Sequence, residues 1–175
     1  DIISILIDSI DYHILRLQDD DPKFAKMYAT PPPKIFILES DPGWGKKFLA
    51  KAIQREALER GVKEGIKVIP ETLKSSDISS WLMGVSEKQL ENKMNSIFSN
   101  PTLIFIEQAQ AFSEKSQGIS GDIDRESRRI GEALERSLEH LKDNPIRGVA
   151  LLSTNNFANI PESLRLIAER INLNE

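Results

Sequence analysis

The residues best suited to chemistry lie in one short segment, Ser40-Asp41-Pro42-Gly43-Trp44-Gly45-Lys46-Lys47. The template of a phosphate-binding loop is G-x-x-x-x-G-K-[ST], placed between a strand and a helix. In such a loop the glycines let backbone N–H groups converge on phosphate oxygens, the helix N-terminus adds a positive dipole, and the lysine reaches the outer phosphates. The pattern therefore predicts a phosphate site made by Asp41, Pro42, Gly43, Trp44, Gly45, Lys46, Lys47 and Phe48.

Two positions of this segment depart from the template. Ser40 replaces the first glycine, and Lys47 replaces the Ser or Thr whose hydroxyl holds Mg²⁺. These departures make Mg²⁺ binding doubtful. They also leave open the alternative of a glycine-rich turn between a strand and a helix that binds no ligand.

Composition limits the class of protein. The 175 residues include 39% hydrophobic and 29% charged residues, which is typical of a globular domain. The formal charge of −4 lacks the basic excess of a dedicated nucleic-acid binder, so we expect no nucleic-acid partner. No cysteine and only two histidines are present, so we predict no metal site made by thiolates or by several imidazoles. No apolar run is long enough for a membrane helix, and no targeting signal identifies a compartment.

The elements that must position the loop alternate along the chain. Apolar runs predict strands at 34–39, 66–69, 103–106 and 148–153, and helices are expected at 48–60 (ended by Gly61), 86–98 and 124–142. Such alternation predicts an α/β fold with a parallel sheet of about five strands and helices on both faces. An amphipathic helix precedes these elements, and Pro31-Pro32-Pro33 is a stiff connector. We therefore divide the chain into an N-terminal helical segment, 1–30, and a main domain, 31–175.

Four segments in order resemble the large domain of the AAA+ ATPases, in particular the AAA clade. They are PPPKIFILESDPGWGKKFLAKAI (phosphate loop), SSWLMGVSEKQLENKMNSIF (pore loop and following helix), PTLIFIEQAQAF (Walker B strand) and GVALLSTNNFANIPESLR (sensor 1 strand). This resemblance covers about residues 32–165 and implies a P-loop NTPase three-layer sandwich that binds ATP or ADP. Under this resemblance we expect the helical lid that follows this domain in the family to be absent from the sequence.

The resemblance also assigns catalytic positions, several of which hold unusual residues. Glu107 falls on the aspartate that organises Mg²⁺, and Gln108 falls on the glutamate that activates water. Glutamine cannot accept a proton, so the general base is missing. Asn155 matches the polar sensor 1 residue. Beyond Arg165 the positions usually occupied by arginine fingers are aliphatic, and Arg165 and Arg170 are the candidates that remain.

The pore-loop segment deviates as well. The aromatic residue with which the family contacts polypeptide falls on Leu82, while Trp81 precedes it and Met83 and Gly84 follow. Trp81 is then either a shifted substrate contact or a residue that packs against the sheet or a neighbour. The resemblance implies other AAA+ subunits, in a homo- or hetero-oligomeric hexameric ring, as partners and a polypeptide as the substrate of protein remodelling.

Three functions fit these residues. The first is a pseudoenzyme, a ring subunit that binds ATP or ADP but hydrolyses it weakly or not at all. The second is an active AAA+ ATPase with unorthodox or engineered residues, and the third is a scaffold that binds no nucleotide. A lone Glu-to-Gln change would favour engineering, whereas four departures, at Ser40, Lys47, Glu107 and Gln108, favour natural degeneration.

Two of the departures are complementary in charge. An ammonium at Lys47 would repel Mg²⁺ and could itself neutralise phosphate charge. Glu107 is one methylene longer than the expected aspartate and could reach it. We therefore predict a Lys47–Glu107 ion pair, with Lys47 pointing into solvent as the alternative.

Overall fold

Strands and helices alternate in the computed structural model as the sequence predicts. It describes residues 2–15, 30–74, 76–77, 87–109 and 121–174, with the backbone alone for 121–128. The helices are α1 (Ile2–Ile10, continued by a π-helical turn, Asp11–Leu15), α2 (Lys46–Lys63), α3 (Glu87–Phe98), α4 (Gly121–Asp143) and α5 (Glu162–Ile167). The strands are β1 (Ile35–Glu39), β2 (Ile69–Leu73), β3 (Thr102–Ile106), β4 (Gly148–Thr154) and β5 (Glu169–Asn172). A 3₁₀ turn, Phe157–Asn159, follows β4.

All five strands form one parallel sheet in the order β2-β3-β4-β1-β5. The three central strands are β3, β4 and β1, so the loops that follow them leave the sheet side by side at its carboxyl edge. These are the loops that carry the phosphate-loop residues, Glu107 with Gln108, and Asn155. The topology thus brings three distant parts of the sequence to one place.

Alternate residues of each central strand point to opposite faces of the sheet. In β1, Ile35 and Ile37 join the core formed with α3, α4 and α5, while Phe36 and Leu38 join the core formed with α1 and α2. Both cores are apolar and fully buried, so the sheet is covered on both faces. The predicted three-layer α/β architecture is confirmed.

The N-terminal helix packs on the second of these cores through Leu6, Ile10 and Ile14. The Ser9 hydroxyl donates a hydrogen bond to the Pro33 carbonyl oxygen at 2.6 Å, which attaches α1 to the proline connector. This described part of the 1–30 segment therefore shares its hydrophobic core with the residues that follow the connector.

The predicted end of α2 at Gly61 is wrong. The helix continues to Lys63, and Gly61 is buried within it. A Cβ at this position would lie 2.6 Å from the Ile66 carbonyl oxygen and 2.7 Å from Val68 Cγ2, so the close packing leaves room only for glycine. Gly65, with φ 68°, ends the helix instead. The N–H of Ile66 bonds to the Gly61 carbonyl and the N–H of Gly65 to the Val62 carbonyl, which is a Schellman motif.

The second strand is also displaced from its predicted position. The apolar run 66–69 suggested a strand, but β2 occupies Ile69–Leu73. Ile66 cannot belong to the ladder because its N–H caps α2. Pro70 lies within β2, where its missing N–H is tolerated because β2 is an edge strand.

No helix in the described ranges combines the length and the apolar character that crossing a membrane requires.

Candidate functional site

A cavity of about 610 Å³ opens at the carboxyl edge of the sheet. Seven of the eight residues predicted for the phosphate site line it, and Asp41 does not. Glu107, Gln108 and Asn155 line the same cavity, so the structure brings these sequence-predicted positions together. The complete lining consists of residues 42–48, Lys51, Phe105, Glu107, Gln108 and residues 153–155.

The phosphate loop has the backbone that its glycines permit. Gly43 and Gly45 have φ values of 88° and 78°, a region that residues with a Cβ rarely adopt. Gly45 is the N-cap of α2 and has no side chain to cap it. The first N–H groups of the helix therefore have no intrahelical acceptor and carry the positive end of its dipole. This cradle fits the phosphates of a nucleotide.

Lys46 folds back into its own loop. Its ammonium donates to the Ser40 carbonyl oxygen (2.6 Å), Ser40 Oγ (2.9 Å), the Asp41 carbonyl oxygen (3.2 Å) and Asn155 Oδ1 (2.9 Å). Burial lowers the pKa of Lys46, and the nearby carboxylates of Asp41 and Glu39 oppose this shift. Lys46 must exchange these acceptors for phosphate oxygens when a nucleotide binds.

The hydroxyl of Ser40 is an acceptor that the template glycine lacks. Ser40 is fully buried, and its Oγ donates to the Asp41 carbonyl oxygen at 3.1 Å while it accepts from Lys46. Ser40 therefore adds a contact that favours the folded-back position of Lys46.

The predicted Lys47–Glu107 ion pair is confirmed. Lys47 Nζ lies 2.9 Å from Glu107 Oε1, and the two side chains are 56% and 17% exposed. Glu107 Oε1 is itself buried, and no hydrogen bond reaches it from the described residues. The ammonium of Lys47 thus compensates a carboxylate oxygen that the described surroundings otherwise leave unsatisfied.

These two residues do not fit Mg²⁺. The metal requires oxygen ligands at about 2.0–2.1 Å in octahedral geometry. Lys47 provides an ammonium in place of a hydroxyl, and Glu107 is engaged by that ammonium.

Gln108 adopts a left-handed backbone conformation, with φ 53°. Its backbone N–H donates to Ser153 Oγ at 3.0 Å, which fixes the turn after β3 to β4. A left-handed conformation costs about 1–2 kcal/mol for a residue with a Cβ. Gln108 is one of the residues that line the cavity, and its side-chain amide is neutral and does not accept a proton at neutral pH.

The two candidate arginine fingers both lie close to one aromatic ring, that of Phe157. The Arg165 and Arg170 guanidinium carbons are 5.9 Å and 4.8 Å from the centroid of the Phe157 ring. Arg170 Nε donates to Glu39 Oε2 at 2.7 Å, and Glu39 Oε1 accepts from the Phe157 N–H at 2.8 Å. Arg170 is therefore paired within its own chain, and a finger role for either arginine stays a prediction.

The pore-loop prediction falls outside the described residues. This applies to Trp81, Leu82, Met83 and Gly84.

Sequence reasoning missed other residues of the site. Lys51 lines the cavity because it lies one helical turn after Lys47, a spacing that places both side chains on one helix face. Ser153 and Thr154 are polar residues at the end of an apolar strand, which was a usable signal for a site at its carboxyl edge. Glu39 gave no comparable signal, since its partners come from β5 and the 3₁₀ turn.

Comparisons with known proteins agree with this geometry. Residues 36–174 match the model of the ATPase family associated with various cellular activities (AAA). An AAA ATPase forming ring-shaped complexes from Kocuria rhizophila is 26% identical over 117 residues, which cover 59% of this chain and 20% of that protein. A cell division cycle protein 48 homolog from Archaeoglobus fulgidus is 28% identical over 113 residues, which cover 64% of this chain and 14% of that protein.

Solved structures share the fold. A chain of the E. coli MS115-1 HORMA:CdnC:Trip13 complex has a TM-score of 0.70 at 17% identity, covering 98% of this chain and 59% of that one. The FIGL-1 AAA domain in complex with ADP has a TM-score of 0.65 at 17% identity, covering 98% and 52%.

The five-stranded parallel sheet, with a glycine-rich loop between β1 and α2, has the P-loop α/β architecture of these structures. Because the family model spans well over half of the sequence, the chain belongs to the AAA family of ATPases. It spans a fifth or less of the length of the curated relatives described above.

Proposed function

We propose that this AAA module binds ATP or ADP but hydrolyses ATP weakly or not at all, as one subunit of a ring-shaped protein-remodelling assembly. The observation that carries the proposal is Gln108, a residue with a neutral side chain that lines the phosphate cavity at the position where the family resemblance expects a general base. The cradle around Gly43, Gly45 and Lys46 supports binding, while the residue at position 108 argues against turnover.

Each group around the cavity has a role in this proposal. A bound nucleotide supplies phosphate oxygens as hydrogen-bond acceptors. The uncapped N–H groups of α2 and the Lys46 ammonium donate to such oxygens. Asn155, which holds Lys46 through Oδ1 at 2.9 Å, couples the end of β4 to the position of that lysine. Gln108 can orient a water molecule by hydrogen bonding but cannot take its proton.

The proposal is tested by measuring binding and turnover on the same preparation. Isothermal titration with ADP and with ATP should show binding, and a phosphate-release assay should show almost no turnover. Gln108→Glu alone should not restore turnover, because Lys47 and the finger positions remain altered. Rapid turnover by the unmodified chain would establish the alternative of an active ATPase with unorthodox residues.

The alternative of a nucleotide-free scaffold is favoured by one observation. Lys46 already has four acceptors within the chain, including the Ser40 hydroxyl. A chain that binds neither ADP nor ATP at millimolar concentration would establish this alternative.

Ring membership is proposed from the ring-forming relative and needs its own test. Light scattering on the full-length protein with its co-purifying partners should give the mass of an oligomer. A monodisperse monomer at all concentrations would contradict the ring. A polypeptide substrate, contacted through residues 81–84, is part of the same proposal, and crosslinking of a substrate peptide to these positions would support it.

A further inference from the structure

The Lys47–Glu107 pair occupies the part of the cavity where the template places its Mg²⁺ ligands. Lys47 is the second residue of α2, and Glu107 directly follows β3. Their side chains meet at 2.9 Å across the mouth of the cavity. The chain itself thus supplies a cation, the Lys47 ammonium. It lies next to Glu107, the only carboxylate among the described lining residues.

The residues that line the cavity carry a net positive charge without any metal ion. Among the described lining residues, Lys46, Lys47 and Lys51 carry positive charge and Glu107 carries negative charge. A metal-free nucleotide is more negative than its Mg²⁺ complex, and an excess of ammonium groups favours the more negative form. Mg²⁺ would have to approach Lys47 against electrostatic repulsion.

We propose that the Lys47 ammonium, held by Glu107, replaces Mg²⁺, so that the site binds nucleoside di- and triphosphates without a metal ion. This inference rests on the nucleotide binding proposed above. It adds that the bound nucleotide is the metal-free form and not the Mg²⁺ complex. Lys47 is 56% exposed, so its ammonium can contact a phosphate oxygen while it stays beside Glu107.

The test is isothermal titration of the full chain with ADP and ATP, in EDTA and in excess MgCl₂. The dissociation constant of the unmodified chain should be no higher in EDTA than in excess MgCl₂, because Mg²⁺ competes with Lys47 for the phosphates of the free nucleotide. Lys47→Thr restores the template hydroxyl and releases Glu107 for a metal. In this variant EDTA should raise the dissociation constant by about tenfold or more. Lys63→Thr, the same substitution at the far end of α2, is the matched control and should behave like the unmodified chain.

The possible results separate this inference from the function on which it rests. A tenfold loss of affinity in EDTA by the unmodified chain would overturn the inference and leave nucleotide binding intact. Absence of binding in both buffers would refute both. A Lys47→Thr chain that binds equally well in both buffers would show that Lys47 does not replace the metal.

A second measurement on the unmodified chain keeps the test independent of the variant's folding. Electron paramagnetic resonance of Mn²⁺ with ADP and the protein should show only the spectra of aqueous Mn²⁺ and of its ADP complex. A spectrum of protein-bound Mn²⁺ that requires ADP would overturn the inference.

Discussion

Removing the Ser40 hydroxyl should strengthen nucleotide binding. Ser40 Oγ accepts a hydrogen bond from the Lys46 ammonium at 2.9 Å, and this contact must break before Lys46 reaches a phosphate. A hydrogen bond to a charged group contributes about 1.5–3 kcal/mol when it is well formed. We take about 1 kcal/mol here, because Lys46 is partly exposed and keeps its other acceptors in the variant.

Ser40→Ala should therefore lower the dissociation constant for ADP by about fivefold, since 1.4 kcal/mol corresponds to a factor of ten. Alanine removes the hydroxyl and leaves the backbone preference unchanged, so it separates this effect from that of the template glycine. Isothermal titration at fixed pH and salt measures the change. Ser40→Gly should bind ADP at least as tightly as Ser40→Ala.

The control is Ser137→Ala, which removes another buried hydroxyl far from the cavity. Ser137 Oγ donates to the Ala133 carbonyl oxygen at 2.9 Å within α4. This variant should bind ADP like the unmodified chain. Unchanged or weaker ADP binding by a folded Ser40→Ala chain would refute the reasoning that Ser40 holds Lys46 away from phosphate.

Three further predictions concern stability and are checked by urea unfolding. Gly61→Ala should lower the free energy of unfolding by about 1–3 kcal/mol, because the new Cβ would overlap Val68 Cγ2 at 2.7 Å. An unchanged urea midpoint would contradict this packing. Ser153→Ala should cost about 1 kcal/mol, because the Gln108 N–H loses its acceptor, and an effect below about 0.3 kcal/mol would show that water replaces the hydroxyl. Burial raises the pKa of Asp11 above 3.8 despite Arg60, so the folded state binds the proton more tightly than the unfolded state. The stability of the unmodified chain relative to Asp11→Asn should therefore be greatest below pH 3.8 and fall as the pH rises through the raised pKa. A stability difference that grows with pH would contradict this prediction.

The sequence by itself determined the order of four of the five strands, the three helices that alternate with them, and most of the site, but it did not locate α5 or β5. Alternating apolar runs required a parallel sheet covered on both faces, and in such a sheet every loop after a strand leaves at the same edge. That rule places Lys46, Glu107 and Asn155 at one edge of the sheet without knowledge of the coordinates. They line one cavity because β3, β4 and β1 are neighbours. The Lys47–Glu107 pair followed from the lengths and charges of two side chains at that edge.

Only the tertiary structure decided the contacts that depend on strand order and close packing. Arg170 pairs with Glu39 because β5 lies beside β1, and no local pattern in the sequence fixes that neighbour. The role of Gly61 depends on Val68 approaching the helix, so a residue that reads as a helix end is instead a packing contact. The hydrogen bond from Lys46 to Ser40 Oγ likewise depends on the folded loop. Local sequence patterns specify which residues are present, but the acceptors that compete for the ammonium in three dimensions decide which hydrogen bonds form.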